Sequence, residues 1–288
     1  ADNLSLAVSL IACAVPLIVL KYGNYAPAAH FLGTRALRAW ILVRDQSVRG
    51  LSPKRHSQQP LLPRIALHFA GIKLVYQLTA NIDQLIVGFL LGPAQLGVYN
   101  RASAIAKTGI GAIGNVVDRV LFPRLSRLQT DPDAFDRTLH RILVSSAIGA
   151  GVCAVIGAAL AGPLINLLLG HTWRQSIPVF VIFASSLPLF LIERVLAIGQ
   201  RARGQTSARF KGQVIALIVG ALATVGLSAF GPMGCAVGTA VGILMASIYS
   251  TSALSGDPRY SRSAIRIIAI SAVTAALSAV AGIAIVGG

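Results

Sequence analysis

Apolar residues in this 288-residue chain fall into nine long runs separated by short polar gaps. They extend from Leu4 to Leu20, Tyr22 to Val43, Ile65 to Leu91, Leu96 to Leu121, Ile142 to Leu160, Ile177 to Gly199, Val214 to Phe230, Gly234 to Leu254 and Ile265 to Val286. A helix needs about 20 mostly apolar residues to cross the roughly 30 Å of bilayer hydrocarbon. The pattern therefore predicts an all-α fold, a polytopic transmembrane helical bundle of about nine spans. His30, Arg35 and Arg38 interrupt the second run, which either crosses the membrane or lies in its interface.

The gaps carry turn chemistry and an alternating charge. Gly92-Pro93 and Gly231-Pro232 predict tight hairpins, while Asp131-Pro132-Asp133 and Asp257-Pro258 predict turn starts at the opposite side. Bases gather after the second run (Arg44, Arg49, Lys54, Arg55, Arg64), the fourth (Arg124, Arg127, Arg137, Arg141), the sixth (Arg201, Arg203, Arg209, Lys211) and the eighth (Arg259, Arg262). Outer gaps hold only Arg174, apart from Lys21 after the first run. Lys and Arg accumulate in cytoplasmic loops, so the even-numbered gaps and the amino terminus are predicted to be cytoplasmic. Arg44 to Pro63 is the longest polar stretch and the best boundary between two bundles.

Composition agrees with a membrane protein: 55% of residues are hydrophobic and 12% charged, with mean hydropathy +0.73, whereas soluble domains carry about a quarter charged residues. The net charge of +16 would suggest nucleic acid in a soluble protein, but its bases lie in short clusters between apolar runs. No nucleic-acid partner is expected. Cys13, Cys153 and Cys235 stand singly in apolar stretches, which excludes a disulfide scaffold and predicts no metal site. Gly109-Ile110-Gly111-Ala112-Ile113-Gly114 fits the dinucleotide pattern GxGxxG, yet it lies inside the fourth run with no strand before it, so helix packing is the better reading. No P-loop, HExxH or Ser/His/Asp set stands out, and no catalytic residue or cofactor is predicted. Gly238, Gly242 and Ala246, and likewise Ala150, Ala154 and Ala158, are small residues four apart that predict close helix contacts.

Ionisable residues within the runs are the informative ones, because each costs at least about 2.5 kcal/mol at the centre of a lipid-facing helix. Lys73, Gln77 and Gln84 share one face of the third span, flanked by Tyr76, Asn81 and Asp83. Asn100, Ser103, Lys107, Gly111, Gly114 and Asp118 line one face of the fourth, with Arg101 on its flank. His30, Thr34 and Arg38 share a face of the second, with Arg35 beside it. Three such stripes would enclose a hydrated cavity suited to an anion. The alternative is that Lys73 pairs with Asp83 or Asp118, or snorkels to an interface. Glu193-Arg194, near the end of the sixth run, reads as a local or interfacial pair.

Three stretches carry a family resemblance. They are Asn81 to Gly92 (NIDQLIVGFLLG), Leu96 to Ala102 (LGVYNRA) and Leu121 to Ser126 (LFPRLS). Together with Gly170-His171-Thr172-Trp173 and Gly199-Gln200 they resemble the polysaccharide (O-antigen, Wzx-like) flippases. That family belongs to the multidrug/oligosaccharidyl-lipid/polysaccharide exporter superfamily. Asp83, Gly88, Tyr99 and Pro123 match its motif most strongly. The resemblance implies a partial flippase-like (MATE-like) architecture of two pseudo-symmetric lobes rocking around a cationic cavity. It would translocate an undecaprenyl-diphosphate-linked oligosaccharide across the bacterial plasma (inner) membrane for cell-surface or extracellular polysaccharide synthesis.

On that basis residues 1–43 are the last two helices of a first lobe, 44–63 a cytoplasmic basic linker, 64–254 a second lobe of six helices and 255–288 an additional C-terminal helix. Family members have more helices, so the chain reads as their carboxy-terminal two-thirds. Arg35, Arg38, Lys73, Arg101 and Lys107 become the expected substrate-binding residues, while Asp83 and Asp118 serve coupling or helix pairing. Expected partners are the lipid-linked oligosaccharide, membrane lipids and a polysaccharide polymerase. The chain is then a transporter, not an enzyme. Alternatives are a cation-coupled drug antiporter, which would need acids in the cavity, and a membrane-embedded glycosyltransferase or polymerase, which would need an acidic outer loop.

Overall fold

A computed structural model describes residues 61–254 and 258–287. Of the chain's two units, Ala1–Ile65 and Ala66–Gly288, the second holds every described side chain. All elements described are helical. The first two apolar runs, the linker and the orientation of the amino terminus lie outside the described residues.

Helix α1, Leu61–Ser126, has 66 residues. Straight, it would reach about 100 Å at 1.5 Å per residue, three times the thickness of a bilayer core. It folds back instead. Gly92 takes φ 84° and ψ 173°, a conformation that disfavours a side chain, and Pro93 cannot donate to the preceding turn. The two limbs, 61–91 and 93–126, run back against one another beyond the turn: Lys107 Nζ donates to the Ala80 carbonyl at 3.2 Å across 27 residues of chain. The expected Gly92-Pro93 hairpin is present.

Helix α2, Pro132–Ala159, starts ten residues before the apolar run that predicted it. Asp131 caps it by accepting from the Ala134 amide at 3.0 Å, and Pro132 occupies the first turn, where no donor is missed. Phe135, Leu139 and Leu143 bury one face of this extension, so Asp131-Pro132 starts a helix and not a simple turn. Small residues carry the packing further along, with Ala150, Ala154 and Ala158 all buried.

The gap predicted between residues 161 and 176 is also helical: α3, Ala161–Leu169, and a 3-10 segment, His171–Ser176. Ala161 and Ile165 are fully buried, and Trp173 packs on the same apolar cluster. A short amphipathic element thus docks on the bundle end without crossing it. The sixth predicted span is broken into α4, Ile177–Ser185, and α5, Leu187–Ala202, with a bend of 42° between the flanking helical stretches. Pro188 lies in the first turn of α5, where its missing N–H cannot continue the ladder of α4, and the Ser186 hydroxyl donates to the Ile182 carbonyl at 2.7 Å.

Helices α6, Thr206–Leu227, and α7, Gly231–Leu254, form a second hairpin that turns at Gly231, φ 69°. Their backbones nearly touch. A Cβ on Gly238 would lie 2.4 Å from the Thr224 amide nitrogen, and one on Gly242 would lie 2.6 Å from the Gly220 Cα. Helix α8, Pro258–Gly287, packs on α2, α4 and α5; a Cβ on Gly282 would meet a Val181 methyl at 2.8 Å.

The broken pair α4–α5 occupies the centre, with Val181, Phe183, Val195 and Ile198 at or near zero exposure, and α2, α7 and α8 around it. Large apolar side chains such as Phe89, Leu222 and Val280 point outward. In a bilayer that face meets lipid, and the backbone polar groups are satisfied within the helices. Stretches Val75–Ser126, Pro132–Ala159, Thr206–Leu254 and Arg262–Ala284 are long and apolar enough to cross, the first and third as hairpins; the bent pair makes a fifth.

Candidate functional site

Between the two limbs of α1 and helices α5, α6 and α7 lies a cavity of about 540 Å³. Its described lining contains four bases, Lys107, Arg194, Arg201 and Arg209, and three acids, Asp83, Asp118 and Glu193. Each acid meets at least one of these bases, because charge this deep among apolar helices is tolerated when paired or hydrated.

The first group joins the limbs of α1. Asp83 is 2% exposed, and its Oδ2 accepts from Lys107 Nζ at 2.8 Å and from the Tyr99 hydroxyl at 2.7 Å. Tyr99 is fully buried, edge-on to Phe183 at 5.7 Å, and its oxygen lies 3.4 Å from Thr239 Oγ1 on α7. Lys107 also sits 5.7 Å from the Phe183 ring centroid. The other carboxylate oxygen of Asp83, Oδ1, is buried without a hydrogen-bond partner. Asp83, Gly88 and Tyr99, three of the motif residues, all lie where the limbs meet: a Cβ on Gly88 would come within 3.1 Å of a Leu96 methyl.

The second group joins α1 to α5. Asp118 takes Arg194 Nη2 at 2.5 Å on Oδ2 and Arg201 Nη2 at 2.9 Å on Oδ1. Beside it, Glu193 pairs with Arg209 on α6. Glu193 and Arg194 therefore do not pair with each other, as their adjacency suggested; they bridge to different helices.

A third cluster closes the base-rich end of the bundle. Arg203 binds Asp136 at 2.6 Å, donates to the Leu254 carbonyl and lies 4.1 Å from the Phe135 ring centroid. One guanidinium thus ties α5 to α2 and α7.

Among the expected site residues, the structure brings Lys107, Asp83 and Asp118 to the cavity. Arg101 is not part of its lining; it is exposed and stacks 5.3 Å from the Trp173 ring centroid at the other end of the bundle. Lys73 lies in the first limb of α1, with its side chain outside those described. Arg35 and Arg38 are outside the described residues. Arg194, Arg201 and Arg209 are lining residues that the loop-charge reading assigned to orientation or to a local pair. The available signal was helical: Arg194 and Arg201 are seven apart and share a face. The GxGxxG glycines lie within α1; Gly114 makes room for Arg194, whose Cζ would stand 3.3 Å from a Cβ there.

Broken and hairpin spans around an ion-paired polar cavity define a polytopic helical membrane protein of transporter-like architecture. A family model described as "Polysaccharide biosynthesis protein" matches residues 2–178, and the chain belongs to that family. It is 25% identical over 229 residues to the amylovoran biosynthesis protein AmsL of Erwinia amylovora, covering 75% of this chain and 57% of that one. Identity to the teichuronic acid biosynthesis protein TuaB of Bacillus subtilis is 28% over 117 residues, 39% of this chain and 23% of that protein. The lipopolysaccharide biosynthesis protein WzxC of Escherichia coli is 24% identical over 187 residues, 62% and 36% of the two chains. Among solved structures, the lipid II flippase MurJ in an inward closed conformation superposes with TM-score 0.65 and 15% identity, covering 98% of this chain and 64% of that one. That likeness shows a shared fold. The chain spans from about a quarter to just over half the length of these three biosynthesis proteins.

Proposed function

We propose that this chain forms the second lobe of a plasma-membrane translocase that moves an undecaprenyl-diphosphate-linked oligosaccharide outward for surface or extracellular polysaccharide synthesis. The observation that carries the reading is the base-bearing cavity among apolar helices in a member of a polysaccharide biosynthesis family. Such charge at membrane depth is expensive unless it serves a polar ligand, water or a paired partner. Lys107, with Lys73, Arg35 and Arg38 from the spans before it, supplies attraction for the diphosphate. Arg101 serves the sugar at the outer end. The reaction is transport, with no covalent step and no cofactor, and the handed-over product suits a polymerase as partner.

A cation-coupled antiporter is the second reading, favoured by the three acids in the lining. Each acid is matched by a base, which favours an anionic ligand over a cationic drug. The test replaces Lys73 and Lys107 by Ala in the intact protein and follows lipid-linked sugar reaching the outer leaflet. The expected result is a loss of about tenfold or more. Unchanged translocation and unchanged surface polysaccharide overturn the proposal.

A further inference from the structure

The Arg194–Asp118–Arg201 group differs from the other ion pairs in its arithmetic. One carboxylate holds two guanidiniums, one on each oxygen. The group therefore keeps one positive charge in excess, and all three residues line the cavity. The neighbouring Glu193 is occupied by Arg209 and does not neutralise it.

The guanidiniums are also incompletely used. Arg194 Nε is buried and has no hydrogen-bond partner, although its Nη2 donates to Asp118 and, at 3.2 Å, to Asn115 Oδ1. Its plane rests over Gly114, where a Cβ would stand 3.3 Å from Cζ. Arg201 lies 5.9 Å from the Phe122 ring centroid, and its side chain is 47% exposed. Seven residues apart on α5, the two project from one face two turns apart. Two forked donors with a spare buried N–H and a one-charge surplus match an anion richer in oxygen and charge than a carboxylate.

We infer that Arg194 and Arg201 form a diphosphate-binding subsite in which Asp118 is a resident counter-anion that the incoming diphosphate displaces. The inference rests on the functional reading above and adds this pair to it. Displacement removes the link between α1 and α5, so occupancy of the subsite frees one helix from the other. Gly114 is the space the guanidinium needs.

The test titrates inorganic diphosphate into the chain held in phosphatidylcholine nanodiscs, by calorimetry. R194Q and R201Q should each weaken binding about tenfold, R201K should weaken it less, and D118N should tighten it because the competing carboxylate is gone. R119Q, an exposed neighbour, should leave it unchanged. Doping the discs with undecraprenyl diphosphate should compete in the wild-type chain and not in R194Q. Equal affinity in wild type, R194Q and R201Q overturns the inference, as does weaker binding in D118N or an equal loss in R119Q. If phosphatidylglycerol in place of phosphatidylcholine competes as well as the diphosphate lipid, the site takes ordinary headgroups and the inference also falls. R201K and D118N keep the result readable if a glutamine variant fails to fold. The readout needs neither sugar nor transport. Diphosphate bound through both arginines in a protein that moves no lipid-linked sugar would sink the transport reading alone.

Discussion

The molecule contains two hairpins built the same way and held together differently. Both turn at a glycine with positive φ, Gly92 in α1 and Gly231 between α6 and α7. The α6–α7 hairpin is joined by backbone contact, Gly242 against Gly220 and Gly238 against Thr224. The limbs of α1 are instead clasped by Asp83, Lys107 and Tyr99. In lipid, apolar burial gives helices little reason to associate, so close packing or polar bonds must do it. Packing of the first kind has one arrangement. A polar clasp beside a cavity can be opened by a competing charge, so the contrast separates a static hairpin from one that can respond to a ligand.

The largest effect should come from breaking the static hairpin. Gly238→Val would drive a side chain into the Thr224 backbone, and is expected to cost at least about 3 kcal/mol. Thermal unfolding in detergent should show little folded protein surviving. Next, Lys107→Met leaves the buried Asp83 without its cation and should cost about 3 kcal/mol. Adding Asp83→Asn should recover most of that loss, and a double-mutant cycle without coupling would mean that the clasp does not hold the limbs. Tyr99→Phe removes one donor from the same carboxylate and should cost about 1 kcal/mol. The smallest effect has the opposite sign: Gly109 has open space around it, so Gly109→Ala should stabilise α1 by about 0.5 kcal/mol.

Much of this architecture could be read from the chain. The apolar runs located every pass among the described residues, and Gly92-Pro93 and Gly231-Pro232 located both hairpin turns, since hydrocarbon thickness and glycine geometry act locally. The row Gly238, Gly242, Ala246 announced a close contact, though not its partner. Less legible were the break at Ser186, hidden inside a run of suitable length, and the helicity of residues 161–176, whose burial depends on neighbours distant in sequence. Arg101 flanked the predicted face of Lys107, yet it meets Trp173 at the bundle end.

By itself the sequence determined that the chain crosses a membrane repeatedly, where it turns and which polar residues lie at membrane depth. Each follows from hydration and from backbone geometry over a few residues. Only the tertiary structure decided which charges meet. Lys107 found Asp83 across a hairpin, and Asp118 found Arg194 and Arg201 more than seventy residues away. Ion pairing depends on distance in space, and a helical stripe fixes direction around an axis without saying which neighbour stands opposite.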